Sequence, residues 1–232
     1  MDYLCNMKNN KATISADVIS STALSIEERL ILEDKIREVI KILTQTLGSN
    51  NFYGHLIKGD YIECVLADPK HALRVALILK SFVKSLNIAQ NSKNKKIRDF
   101  KKYGVRIAVG IGELSVFDRE KGIIDGEAIY LSGRSINTKS ASNKKNKKTL
   151  FFNSSNEEYY SYYESIFGLL DFHFTKLTRT QCEIIYYKLL RKSEKEIAEI
   201  MNVSQPAVNK ASTTSGWWAI DAAITVFEKN IE

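Results

Sequence analysis

ATISADVISST (residues 12–22) and KGDYIECVL (58–66) decide how this chain is read. The first opens with alternating small and β-branched residues and then turns polar, so it reads as a strand running into a loop. Ser25 with Glu28 three residues on makes a capping box for the helix that follows. Leu30, Leu32, Ile36, Val39, Ile40, Leu43 and Leu47 recur at helical spacing and form its apolar face. Gly48 and the polar residues after it end that helix. In FYGHLIKGDYIECVL (52–66) alternation breaks at Lys58-Gly59-Asp60, which predicts a β-hairpin turning there. Asp17 and Asp60 therefore stand at neighbouring strand ends.

Working outward, Asp68-Pro69 starts a second helix with Ala72, Val75, Ala76, Leu79 and Phe82 on one face. GVRIAVGIGEL (104–114) reads as a buried strand. A turn region with Gly122 and Gly126 follows, then a short helix over 127–138 and a strand in TLFFNSS (149–155). The order β-α-β-β-α-β, then helix and strand, predicts an α+β domain over 1–157. Its form is a ferredoxin-like antiparallel sheet with helices on one face. EYYSYYESIFGLL, within 158–176, reads as a connecting helix.

Residues 177–232 predict an all-α helix-turn-helix domain. Thr178 caps its first helix, and SEKEIAEIMNVSQPAVNKA (193–211) predicts two helices around a tight turn. Ala198 is the small residue where the helices cross, and Asn202 tolerates the left-handed turn. Ser204 caps the second helix with Pro206 in its first turn. Ile197, Met201, Val203 and Val208 are expected as buried anchors, and Trp217 and Trp218 as anchors of the last helix.

The chain has 232 residues with a net charge of +7 and 44% hydrophobic residues, ordinary for a globular protein. No apolar run approaches a membrane span, and MDYLCNMKNNK has no leader-like apolar core. Three scattered cysteines (Cys5, Cys64, Cys182) exclude a disulfide framework and point to a reducing, cytoplasmic setting. The whole charge excess lies in residues 1–164, concentrated in NSKNKKIRDFKK (91–102) and TKSASNKKNKK (138–148). Both stretches read as exposed loops or frayed helix ends. The C-terminal piece is neutral, so the basic character points to an anion near the first domain or to an auxiliary clamp on the DNA backbone rather than to base reading.

The stretches ADVISST, KGDYIECVL, VRIAVGIGEL and DGEAIYLSGR, in that order, resemble the class III nucleotidyl cyclase catalytic domain. The resemblance implies a nucleotide-cyclase-like fold, with Asp17 and Asp60 as ligands of Mg²⁺ or Mn²⁺ joined by the carbonyl of Val18. It implies a nucleoside triphosphate as ligand or substrate, with Ile19, Ser20, Ser21, Thr22, Lys58 and Gly59 around the phosphates. It further implies Arg134 as the catalytic arginine, acting across a homodimer. Three positions depart from the pattern: Leu56 replaces the base-reading lysine, Ile123 the base-reading polar residue and Tyr130 the ribose-orienting asparagine. The metal and phosphate features persist while the base and ribose features do not.

The C-terminal segment resembles the helix-turn-helix of sigma-factor region-four-like and LuxR-like regulators. That resemblance implies DNA contacts from Gln205, Asn209 and Lys210. The two halves together are similar to the SatD family. The expectation is a nucleotide-responsive, DNA-binding transcriptional regulator, with a divergent cyclase-like sensor and no membrane association. An active Mg²⁺-dependent cyclase and a non-enzymatic protein-interaction scaffold are the alternatives.

Overall fold

The structure, a computed structural model, describes residues 10–57, 59–89, 93–142 and 148–231. Seven strands and nine α-helices follow one another among them. They are β1 (Lys11–Val18), α1 (Ile26–Leu47), β2 (Phe52–Ile57), β3 (Tyr61–Leu66), α2 (Ala72–Ser85), α3 (Lys95–Tyr103), β4 (Val105–Gly112), β5 (Val116–Asp118), β6 (Ile123–Asp125), α4 (Glu127–Ser142), β7 (Leu150–Ser154), α5 (Glu157–Phe174), α6 (Arg179–Leu189), α7 (Glu194–Met201), α8 (Gln205–Thr214) and α9 (Trp217–Asn230). The main sheet runs β2-β3-β1-β4-β7, and β5 and β6 form a separate small hairpin. Its pairs are antiparallel except β4–β7. That departure from an all-antiparallel expectation follows from α4, which carries the chain across between β4 and β7.

Period-two alternation in β1 sorts its side chains onto two faces. Ala12, Ile14, Ala16 and Val18 enter the main core with Leu32, Ile36, Val39 and Leu43 of α1. Thr13 and Ser15 face the other way, and their hydroxyls meet the Ser132 hydroxyl of α4 at 3.0 and 2.9 Å. Gly110 permits this close approach: a Cβ there would lie 2.7 Å from the Ser132 nitrogen. The capping box of α1 forms as the sequence specifies, but Leu30 is exposed and takes no part in the apolar face.

Helix α2 is buried almost all round. The sheet covers one side and α6 packs on the other. The apolar core therefore continues without a break from the sheet into the C-terminal helices and includes Cys182, Ile185, Leu189, Ile224 and Phe227. Helix α5 is core rather than a plain connector: Tyr163 and Phe167 lie against Phe152 of β7 at centroid distances of 5.5 and 5.2 Å, and Tyr163 against Phe227 of α9 at 4.9 Å.

Two lysines of α2 are hidden in this junction. Lys80 Nζ donates to the Val105 carbonyl (3.2 Å) and the Thr149 hydroxyl (2.7 Å), with Asp171 Oδ1 of α5 at 3.4 Å. Asp171 accepts from the Thr149 backbone N–H at 2.7 Å and its hydroxyl at 2.5 Å. Lys84 donates to the Phe174 carbonyl. Burial lowers the Lys84 pKa to about 8 and raises that of the neighbouring Cys182 thiol to about 11.

The basic stretch 91–102 is expected as an exposed loop or a frayed helix end. Its described part includes α3, whose Ile97 and Phe100 are buried. An apolar pair three residues apart, capped by Asn94, suffices to fold lysine-rich sequence onto the core. In the second stretch, Lys148 pairs with Glu164 of α5 at 2.6 Å, while Lys144, Lys145 and Lys147 lie outside the described residues. Among the described residues no helix is long and apolar enough to cross a membrane.

Candidate functional site

Asp17 sits one residue before the end of β1, on the Thr13/Ser15 side of the strand. Its register partners are Tyr61 on β3 and Arg106 on β4. The hairpin turn, with Gly59 at φ 80°, brings Asp60 beside it, and the Asp60 carbonyl accepts from the Val18 N–H at 3.1 Å. The structure thus brings together Asp17, Asp60, Val18 and Gly59. Lys58 lies outside the described residues.

The loop after β1 turns sharply at Ser20, a non-glycine residue at φ 59°. Residues Ser21–Ala23 then make one 3₁₀ turn. Ile19 N–H is taken by the Gly104 carbonyl, which removes it from the set expected to face phosphate. Ser20, Ser21 and Thr22 precede the first 3₁₀ hydrogen bond, so their N–H groups have no intrahelical acceptor. Ser21 is buried, and its hydroxyl donates to Asp60 Oδ2.

Arg106 was not anticipated. Its Nη1 lies 3.0 Å from Asp17 Oδ2. The available signal was one basic residue within the apolar strand VRIAVG, and only the β1–β4 register makes it a partner of Asp17. The Asp17 carboxyl titrates above its ordinary range: burial raises it, Arg106 opposes this, and Asp60 raises it further. A divalent cation held by both aspartates would have to displace the Arg106 guanidinium. In its present pairing the set holds two carboxylates and one guanidinium, with Arg106 occupying one oxygen of Asp17. No group of three or more His, Cys, Asp or Glu able to hold a metal occurs among the described residues.

Arg134 lies on the exposed side of α4, its guanidinium 5.6 Å from the Tyr130 ring centroid. Among the described side chains of that helix, Ala128, Ser132, Ser135 and Ile136 are buried. Tyr130 and Ile123, at the departing positions, are both exposed.

The open face of β2 and β3 carries a further polar set. His55 Nδ1 lies 2.6 Å from the Tyr53 hydroxyl, and His55 Nε2 lies 3.4 Å from Glu63 on the paired strand. The β5–β6 hairpin closes over this end, with Phe117 against Tyr53 at 5.5 Å. Beside it is a cleft of about 500 Å³ lined by Lys11, Asn50, Val65, Glu113, Phe117 and Arg119. Lys11 and Asp17 are at opposite ends of β1, so this cleft is remote from the aspartate pair.

At the C-terminal end, α7 and α8 meet at Asn202, which adopts the left-handed conformation (φ 51°, ψ 51°). Ser193 and Glu196 form a capping box, and Ser204 caps α8 with Pro206 in its first turn. Ile197, Ala198 and Val208 make a small core with Ile184. Met201 packs at its edge, whereas Val203 is exposed and anchors nothing. Trp218 is also exposed, at 76%; Trp217 alone packs inward, beside Lys188. Gln205, Asn209 and Lys210 share the solvent side of α8. Asn209 donates to Glu194 at 3.2 Å, so an acid stands within the surface expected to meet DNA.

No protein-family model matches the chain, and no curated protein or solved structure matches it.

Proposed function

We propose that the chain is a nucleotide-responsive, DNA-binding regulator with a divergent class III cyclase-like sensor. The observation that carries this reading is the meeting of Asp17, Asp60 and Arg106 at the strand ends beside a tight serine-rich turn. The order β2-β3-β1-β4 supports a ferredoxin-like, cyclase-like assignment for the sheet. In this reading Arg106 leaves Asp17 for a nucleotide phosphate. The freed carboxylates of Asp17 and Asp60, with the Val18 carbonyl, hold the accompanying Mg²⁺ or Mn²⁺. Ser20, Ser21, Thr22 and Gly59 line the phosphate side, with Lys58 added by the family resemblance.

The α7–α8 pair supplies the DNA-binding half as a helix-turn-helix, with Gln205 and Asn209 suited to adenine edges and Lys210 to guanine or phosphate. Its small core around Ile184 adjoins the main core through Tyr187 of α6, which packs against both, and this gives nucleotide occupancy a physical route to that surface. Homodimerisation, with Arg134 reaching the partner's nucleotide, belongs to the same reading, and the exposure of Arg134 is compatible with it.

Fluorescence anisotropy of labelled genomic fragments over a salt titration tests the DNA half. Affinity at 50 mM salt should fall steeply with added salt, and Lys210→Ala should reduce the slope by about 1. No binding at low salt for any fragment would sink it. The enzyme alternative rests on the adjacency of the two aspartates. A cyclic product that vanishes in Asp60→Ala would favour it over the sensor.

A further inference from the structure

We infer that the cleft between α1, α2 and the end of α6 binds a small amphipathic carboxylate, a short aliphatic or aryl acid. The cleft measures about 340 Å³, within the range of small-molecule sites. Leu43, Val75, Ile78 and Leu189 contribute apolar wall. The polar lining is Thr46, His71, Arg74 and Arg191, with the Glu228 carboxylate behind Arg74. An apolar slot with the Arg191 cation at its rim is complementary to a ligand with a greasy body and one negative end.

Arg191 carries the argument furthest. It adopts φ 63° immediately after α6. Its N–H donates to the Lys188 carbonyl at 2.9 Å, completing the helix end. Glycine is the usual occupant of such a position, because a Cβ is strained there. A long cation instead of glycine places charge beside the apolar wall at the expense of backbone ease. Arg191 has no ion-pair partner among the described residues.

The other two basic groups are already oriented. Arg74 is held by Glu228 of α9 through Nε (2.6 Å) and Nη2 (3.1 Å), with Nη1 3.4 Å from the Leu189 carbonyl. His71 is half-buried, with Asp68, Lys70, Arg74 and Glu228 as the charged groups around it. Burial favours its neutral form, so it offers a ring N–H more than a full charge. His71 and Arg74 belong to the sheet-side layer, and Arg191 begins the link to α7. An occupant would therefore bridge the two.

Titration calorimetry on the full chain with octanoate is the test, with octylammonium and inorganic phosphate as companion probes. Saturable octanoate binding at millimolar concentration or below is expected, without comparable binding of either companion. Arg191→Gly relaxes the backbone, so the variant should melt no lower than the parent. Its octanoate affinity should fall about tenfold. Arg191→Asn, also at ease in the left-handed region, should do the same. Absent octanoate binding, equal binding of octylammonium or phosphate, or unchanged affinity in both variants would overturn the inference.

Discussion

Asp17 and Arg106 are register partners across β1 and β4, and their side chains meet at 3.0 Å. This pair holds the end of the sheet in a state where the aspartate expected to bind a metal is already neutralised. The arginine controls access to that carboxylate, which makes it the first position to alter.

Replacing Arg106 by Gln removes a cation from the site while keeping hydrogen-bonding capacity. Divalent-ion affinity should rise by about tenfold or more, since a like charge beside the carboxylates opposes the metal. Titration of free Mn²⁺ by electron paramagnetic resonance measures it. Unchanged or weaker binding contradicts the assignment of Asp17 as a ligand.

Asp17 also has a signature in stability. In the folded chain it keeps its proton to higher pH than in the unfolded chain, chiefly through burial. The folded state then binds more protons across that window, so stability falls as pH rises from the ordinary carboxylate range through the raised folded value. Asp17→Asn should raise the melting temperature at pH 7 and flatten that fall. A lower melting temperature at pH 7 would mean that the Arg106 pair outweighs desolvation.

Lys80 and Asp171 test whether the sheet and C-terminal helices are welded together by buried charge. Lys80→Met alone leaves Asp171 buried opposite an apolar chain and should cost about 3–5 kcal/mol. Lys80→Met with Asp171→Leu should cost clearly less than the two single changes added. Urea denaturation of the four proteins gives the coupling, and additivity within about 0.5 kcal/mol would refute it.

Gly110 has a purely steric role. A Cβ would press on the Ala128 carbonyl and the Ser132 nitrogen, both backbone atoms. Gly110→Ala should therefore push α4 off β1 and β4 and cost about 1–3 kcal/mol, seen as loss of the Thr13 and Ser15 contacts with Ser132. A melting temperature equal to the parent's would show that α4 is loosely seated.

Local signals made much of this fold legible. The Ser25, Thr178 and Ser204 caps, the Gly59 turn and the left-handed Asn202 all follow from residue types acting within a few positions. What was hidden depends on layers. Lys80 and Lys84 look like surface residues in a sequence, and only packing of α2 between the sheet and α6 buries them. Leu30, Val203 and Trp218 look like core, yet none of the described residues covers them and all three are exposed. The aspartate pair was legible because a strand end and a hairpin turn are both local features. The Arg106 contact was not, because it depends on a register set 89 residues away.

The central claim is that a nucleoside triphosphate binds at the Asp17–Asp60 end. Its most direct test is the melting temperature of the full chain with each of the four triphosphates plus Mg²⁺, beside Asp60→Ala. At a hundredfold excess over Kd the stabilisation is about 2.7 kcal/mol, roughly 5–10 °C for a chain of this size. The account predicts such a saturable rise for at least one triphosphate and its loss in Asp60→Ala. No rise with any of them at millimolar concentration, or an equal rise in the variant, would contradict it.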